Sequence, residues 1–264
     1  MAVDVSNLSV EIGSKPIVRD VNLSIADGER VGLVGSSGSG KSMISKALLG
    51  LLPRQAKVSG SATLGGVEVV GADDAVVAGL RGRYVGTVFQ NPGSSLNPVL
   101  SVAKQVELPL KLHYDLDADE RHERVMAMLR KVGLDESLAG RYPHELSGGQ
   151  QQRVGIATAL ITSPRLIIAD EPTTALDSIT QRRIVDLLVS LVDTSGASML
   201  FITHDFSVLA RATTRCYVLD EGRIVDSGAT SELLAAPSVP QSKKLVEAAR
   251  KLTLNGELSA GETL

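Results

Sequence analysis

The chain contains the loop Gly35-Ser36-Ser37-Gly38-Ser39-Gly40-Lys41-Ser42, which fits the pattern G-x-x-x-x-G-K-[ST]. The apolar residues 31–34 precede the loop as a strand would, and a segment of helical composition follows it. Glycines let successive main-chain N–H groups point toward a phosphate chain, and a helix start adds partial positive charge. We expect Lys41 to reach the β and γ phosphates and the Ser42 hydroxyl to bind Mg²⁺. This stretch predicts a nucleoside triphosphate site on a strand, loop and helix unit.

Two acidic residues follow another apolar strand. Asp170 and Glu171 come directly after the continuous apolar run 166–169. Because α/β sheets bind ligands at the carboxyl edge of their strands, we expect Asp170 to bind Mg²⁺ and Glu171 to orient or deprotonate the attacking water. The alternative is that the two carboxylates cap a helix near Pro172. The triphosphate loop favours the catalytic interpretation, since such a site needs a second metal ligand.

Three further features indicate function less strongly when each is taken alone. Leu146-Ser147-Gly148-Gly149-Gln150 places a Ser N-cap and two glycines at a helix start, which predicts a second anion-binding helix end. Gln90 ends a strand and enters a loop rich in Pro and Asn, and His204 follows the apolar strand 199–203. A lone His at a strand end more often makes a structural hydrogen bond. Their order and spacing therefore carry the argument.

The composition describes a folded protein. The 264 residues include 27 basic and 30 acidic side chains, for a net charge of -3, and 43% of them are hydrophobic. This balance excludes global disorder and gives no broad basic field for nucleic acid. Aromatic residues make up only 3%, so we expect an aliphatic core. The single Cys216 excludes an intrachain disulfide and a Cys-based metal site, and we expect it to be buried.

No membrane segment or signal peptide is expected. The start Met1-Ala2-Val3-Asp4 has neither a basic region nor an apolar stretch after it. The longest uncharged run, 84–103, contains two prolines and three side-chain amides and cannot cross a bilayer.

The order of the elements predicts an α/β protein with an inserted helical region. Alternating and continuous apolar runs predict strands at residues 3–12, 17–25, 58–70, 83–89, 166–169 and 199–203, and a hairpin at 214–227. The first strands indicate an antiparallel start, and the later ones a parallel sheet covered on both faces. Residues 98–162 are helical in character, with a predicted capping box at Asp117 and Glu120. Residues 240–253 predict a helical tail.

Together these motifs resemble the ATP-binding subunit of ABC transporters over residues 3–236. The family's motifs match in order: Walker A at 35–42, the Q-loop at Gln90, the signature LSGGQ at 146–150, Walker B with the catalytic glutamate at 166–171, the D-loop at 175–177 and the switch histidine at His204. The resemblance implies an α/β fold: a P-loop NTPase core with an N-terminal antiparallel β-subdomain and an inserted α-helical subdomain at about 98–162. It places the nucleotide-binding domain at 1–236 and a C-terminal helical tail at 237–264.

The resemblance also implies that two subunits close head to tail around two molecules of ATP with Mg²⁺. Glu171 would polarise water, His204 would hold the γ-phosphate region, and Gln90 would bind Mg²⁺ and couple to a permease. The residues facing nucleotide across the pair would be Ser147, Gly148, Gly149, Gln150 and Asp177. The implied partners are two multi-span permease subunits, a second ATP-binding subunit that is a copy or a paralogue, and an extracytoplasmic solute-binding protein, with no nucleic acid. The implied location is the cytoplasmic side of the cell membrane.

The loop Ser95-Leu96-Asn97-Pro98 after the Q-loop is similar to the dipeptide, oligopeptide and nickel importer branch of the family. Two departures from the family's pattern stand out. The Cys-rich C-terminal extension of many peptide importers is not expected, and Ile12 occupies the position where an aromatic ring usually stacks on adenine. We therefore expect Ile12 to make only apolar contact with the base, giving weak base selectivity.

Two alternatives remain open. A soluble ABC-type ATPase of DNA repair, chromosome organisation or translation shares the motifs, but it usually adds coiled coils, zinc modules or a second ATPase unit. An exporter's ATPase subunit is opposed by the S-L-N-P loop and by the lack of fused spans.

Overall fold

A computed structural model describes residues 1–174 and 176–247, and these fall into two compact units. The first unit contains Val3–Gly71 and the described residues from Leu200 onward, and the second contains the described residues of Ala72–Met199. The strands, in chain order, are β1 Val3–Ile12, β2 Lys15–Ile25, β3 Arg30–Val34, β4 Ala56–Leu64, β5 Val67–Glu68, β6 Val85–Val88, β7 Leu166–Asp170, β8 Ser198–Thr203, β9 Arg215–Asp220 and β10 Arg223–Ala229. The helices are α1 Lys41–Leu48, α2 Asp74–Leu80, α3 Pro92–Ser95, α4 Val102–His113, α5 Ala118–Lys131, α6 Gly148–Leu160, α7 Ser178–Ser195, α8 Phe206–Ala212 and α9 Thr230–Ala235.

The first unit begins with an antiparallel sheet of four strands in the order β2-β1-β4-β5. Val3 pairs with Ile25 on one side and with Leu64 on the other. The predicted antiparallel start is therefore confirmed. The predicted strand 58–70 differs, because Gly65 and Gly66 have positive φ angles of 58° and 84° and turn the chain between β4 and β5.

The same unit contains strands in the order β10-β9-β3-β8, where β9 is parallel to β3 and antiparallel to β10. Four consecutive residues of β3 and of β9 are buried, as expected for strands covered on both faces. The predicted hairpin between β9 and β10 turns at Glu221 and Gly222. Residues 240–247 are helical, and the buried Ser242 donates a 2.7 Å hydrogen bond to Asp226. The rest of the predicted tail lies outside the described residues.

In the second unit β6 and β7 are parallel neighbours, with Val85 opposite Leu166 and Val88 opposite Ala169. The inserted helical region contains α4, α5 and α6. Gly86 of β6 allows α6 to approach closely, because a Cβ there would lie 2.1 Å from the carbonyl oxygen of Ala159. The predicted capping box is half formed: Asp117 accepts from the N–H of Glu120, but the Glu120 carboxylate bonds to Arg124 instead.

The core is aliphatic, as the composition predicts. Among the largest fully buried side chains of the described residues, only Phe201 and Phe206 are aromatic. Cys216 is fully buried, and its burial raises the pKa of the thiol to about 11, which leaves it unreactive at neutral pH. No helix in residues 1–174 or 176–247 combines the length and the apolar character that a membrane span requires.

Candidate active site

The triphosphate loop lies in the first unit, between β3 and α1. Lys41 is only 4% exposed, and its Nζ donates to the carbonyl oxygens of Gly35 and Ser36 at 2.8 and 2.9 Å. Gly35 allows the loop to pass close to β9, since a Cβ there would lie 2.2 Å from the Leu219 carbonyl oxygen. Gly40 precedes the helix with a positive φ of 109°. The loop therefore holds the Lys41 ammonium group at the start of α1.

The loop also offers an unpaired polar atom. The Ser39 hydroxyl oxygen is buried and has no hydrogen-bond partner among the residues described. Buried hydroxyls are normally paired, so a group brought by a ligand would satisfy it. A buried cation, an unpaired hydroxyl and the N–H groups of a helix start are complementary to phosphate oxygens. The residues present fit a bound triphosphate.

Two other predicted site residues belong to the first unit. His204 is exposed directly after β8, and Asp205 beside it caps α8 by accepting from the N–H of Ser207 at 2.8 Å. Ile12 ends β1 and is half-buried, paired with Lys15 and with Ala56.

The second unit brings Gln90, Asp170 and Glu171 to one sheet edge, because β6 and β7 are parallel and end together. The Gln90 amide Nε2 donates to the Glu171 Oε2 at 3.2 Å. Thr174 donates its hydroxyl to the same oxygen at 2.9 Å. The catalytic candidate Glu171 is thus bonded to the Q-loop residue, as the spacing of the two strands makes possible.

The signature segment begins α6, as predicted. Ser147 is the N-cap, and its main-chain N–H donates to the Gln150 side chain at 2.9 Å while Gln150 N–H donates back to the Ser147 hydroxyl at 3.3 Å. This reciprocal capping box fixes the helix start. Gly148 and Gly149 form the first helical turn, beside the side chains of Leu176 and Thr180. The predicted anion-binding helix end therefore lies next to the start of α7.

Asp177 stabilises the start of helix α7. Its carboxylate is the N-cap of α7 and accepts from the N–H groups of Thr180 and Ile179 at 3.0 and 3.1 Å. The bond from the Thr180 N–H holds the pKa of Asp177 below its usual value. Ala175 of the predicted D-loop lies outside the described residues.

The described residues do not by themselves form a complete metal site. In the part of the chain that the structure describes, no three His, Cys, Asp or Glu side chains are close enough to hold a metal ion. Mg²⁺ in nucleotide enzymes is bound by one or two protein oxygens together with substrate phosphates. The hydroxyl of Ser42 in the first unit and the carboxylate of Asp170 in the second are each an oxygen group of the kind that Mg²⁺ prefers.

Sequence reasoning missed a cavity in the second unit. The cavity has a volume of about 340 Å³, and its lining includes Phe89, Leu108 and Leu112. These three apolar side chains are 45%, 42% and 69% exposed. Gln152 also lines it, 1% exposed, and neither of its amide atoms has a partner among the described residues. The helical spacing of apolar residues along α4 was the sequence signal for this surface. The exposure of those side chains, however, depends on what packs against the helix.

The loop between a buried strand and a helix start, with a strand-end carboxylate pair and a second capped helix end, defines a P-loop nucleotide-binding protein. The chain belongs to the ABC transporter family, whose sequence model matches residues 18–174. The predicted family is confirmed.

Individual proteins agree with this assignment. A putative peptide import ATP-binding protein of Brucella ovis is 42% identical over 244 residues, covering 89% of this chain and 72% of that protein. The oligopeptide transport ATP-binding protein OppD of Lactococcus lactis subsp. lactis is 38% identical over 232 residues, covering 87% and 69%. The dimeric ATP-binding cassette MJ0796 bound to ADP and Pi has a TM-score of 0.77 at 34% identity, covering 86% of this chain and 98% of that one. The predicted ABC ATPase fold is confirmed.

Proposed function

We propose that this chain binds ATP with Mg²⁺ and hydrolyses it to drive solute import through a membrane transporter. The observation that carries ATP binding is the buried Lys41 ammonium, bonded to two loop carbonyls at a helix start. Because the fold has already removed most water from this cation, it can shift its hydrogen bonds to phosphate oxygens with little further desolvation of its own.

The proposed chemistry assigns one task to each group. Lys41 and the N–H groups of residues 35–42 bind the β and γ phosphates, and Ser42, Gln90 and Asp170 would hold Mg²⁺, which would supply positive charge against the phosphates. Glu171 orients the water that attacks the γ-phosphorus and accepts its proton, while the bond from that phosphorus to ADP breaks. His204 hydrogen-bonds to the γ-phosphate.

The proposed assembly contains two ATP-binding subunits, a second copy or a paralogue. The nucleotide held by the other subunit is bound by the start of α6, at Ser147, Gly148, Gly149 and Gln150. Asp177 caps the neighbouring start of α7. ATP favours the closed pair because only the closed pair surrounds it, and hydrolysis removes this preference. Closure of the pair on the cytoplasmic side of the cell membrane moves two multi-span permease subunits, and an extracytoplasmic protein delivers the solute.

The proposed solutes are dipeptides and oligopeptides, with nickel chelates as the second class. The peptide class is supported by the names of the relatives from Brucella and Lactococcus. The S-L-N-P loop at residues 95–98 supports the same branch.

We propose that the permease docks at the cavity lined by Phe89, Leu108 and Leu112. Exposed apolar side chains around a concave site are typical of protein interfaces. Phe89 lines this cavity, and the next residue, Gln90, bonds to Glu171. A permease docked at Phe89 would therefore be separated from the Glu171 carboxylate by one residue, Gln90, which gives a short path from the permease to hydrolysis.

The test is co-purification of the chain with its permeases and solute-binding protein, followed by ATPase assays with and without peptide. Leu112→Asp should weaken permease binding at least about tenfold and abolish peptide stimulation, because it places a charge on an apolar contact. Val76→Asp is the matched control, since Val76 is 46% exposed on α2 and does not line the cavity. Equal loss in both variants would contradict the docking site, and absence of any permease would favour a soluble ATPase.

A further inference from the structure

Gln90 and Thr174 both donate to the Glu171 carboxylate, and they differ in where they lie along the chain. Gln90 follows β6 and lies 81 positions away in sequence, whereas Thr174 is only three residues beyond Glu171. Both donate to Oε2, at 3.2 and 2.9 Å. The Thr174 contact is therefore local to the turn that follows β7 and does not depend on the position of the Q-loop.

The main chain of this turn is also unusual. Glu171 has a φ of 46°, in the left-handed region that residues other than glycine rarely adopt. Outliers of this kind persist where neighbouring contacts fix them, and they cluster at functional sites. The N–H of Thr174 points back to the Glu171 carbonyl oxygen at 3.4 Å, so Thr174 contacts both the main chain and the side chain of Glu171.

We propose that Thr174 is a positioning residue for the catalytic carboxylate; this rests on the role of Glu171 under the proposed function. A general base must lie within hydrogen-bond distance, about 2.6 to 3.2 Å between heavy atoms, of the group whose proton it accepts. A glutamate side chain has three rotatable bonds, and its terminal torsion is broad. The Thr174 hydroxyl removes much of that freedom, and it would still do so if Gln90 moved away from Glu171.

The test compares Thr174→Val with Thr174→Ser in the assembled transporter. The Val variant keeps the shape and removes the donor, so kcat should fall about tenfold while KM for ATP stays within about twofold. The Ser variant keeps the hydroxyl and should retain kcat within about twofold. Thr194→Val is the matched control, because the Thr194 hydroxyl is also hydrogen-bonded, to the Ser190 carbonyl at 2.7 Å, on the exposed end of α7. It should leave kcat unchanged.

A second measurement separates this inference from the role of Glu171 itself. In a Glu171→Gln background, adding Thr174→Val should change the residual turnover by less than about twofold, because the group that it positions is already lost. An unchanged or raised kcat in Thr174→Val, a Ser variant as slow as the Val variant, or a parallel fall in melting temperature and ATP affinity would overturn the inference. Full turnover in Glu171→Gln alone would instead overturn the proposed base.

Discussion

Ile12 stands at the end of β1, one residue before Gly13, whose φ of 64° turns the chain into β2. Its aliphatic side chain can contact a base but cannot stack on it as an aromatic ring does. Stacking of a base on an aromatic side chain contributes about 1 to 3 kcal/mol. Without that contribution, the proposed site depends mainly on the phosphates, which ATP and GTP share.

We therefore expect ATP and GTP to be hydrolysed by the assembled complex with kcat/KM values within about tenfold of each other. Ile12→Tyr should lower the dissociation constant for ATP about tenfold or more, and Ile12→Leu, which adds no ring, should not. Steady-state assays with both nucleotides and binding titrations would measure this. A hundredfold preference for ATP in the unmodified chain would contradict the expectation.

At the scale of elements, one ion pair fastens β9 to the turn between β2 and β3. Arg215 donates to both carboxylate oxygens of Glu29 at 2.7 and 2.9 Å, and to the Ser24 carbonyl oxygen at 2.8 Å. The Arg215 hydrogen bond holds the pKa of Glu29 below its ordinary value of 4.5. The folded state therefore favours the charged carboxylate, so this stabilisation is complete above pH 4.5 and is lost as the pH falls through the folded-state pKa.

Glu29→Gln should lower the free energy of unfolding at pH 7 by about 1 to 3 kcal/mol, because Arg215 loses a charged partner. The difference from the unmodified chain should shrink as the pH falls below 4.5, because Glu29 becomes protonated first in the unfolded chain and then, at its lower folded-state pKa, in the folded one. Urea unfolding at pH 7 and at pH 3.5 would measure both values. Glu11→Gln, the same change at an exposed site, serves as control. A difference that is equal at both pH values would refute the linkage.

At the scale of the whole molecule, the proposed ATP site is completed by a second subunit. Glu171→Gln should bind ATP but hydrolyse it slowly, so that the closed pair accumulates. Light scattering with ATP, on the chain alone and with a paralogous subunit, should then show twice the mass of one 27.7 kDa chain. Without ATP the pair should dissociate.

Adding Gly148→Asp should weaken this ATP-dependent pairing at least about tenfold, because an added carboxylate repels the triphosphate. Space exists for it, since the nearest side-chain atom to a Cβ at Gly148 is 3.8 Å away. An acidic residue in a first helical turn is also compatible with the helix dipole. Gly140→Asp, at a glycine with nothing within 4 Å, is the matched control. Pairing that survives Gly148→Asp would argue against signature contact with nucleotide.

The sequence by itself determined the features that depend only on residues a few positions apart along the chain. Three such features follow from local main-chain geometry: the phosphate loop with Lys41, the cap at Ser147 and Gln150, and the turn at Glu221 and Gly222. The local sequence is therefore enough to predict them. The family pattern added the order of these motifs and hence the fold.

Only the tertiary structure decided the contacts between distant positions. The hydrogen bond from Gln90 to Glu171 joins residues 81 positions apart. The contact of Thr174 with Glu171 could be interpreted only after the structure showed the left-handed main chain of Glu171. The exposure of Leu112 and the burial of the unpaired Gln152 amide likewise depend on which helices pack against α4 and α6. The physical reason is that burial and side-chain hydrogen bonds are set by neighbours in space, whereas caps and turns are set by neighbours along the chain.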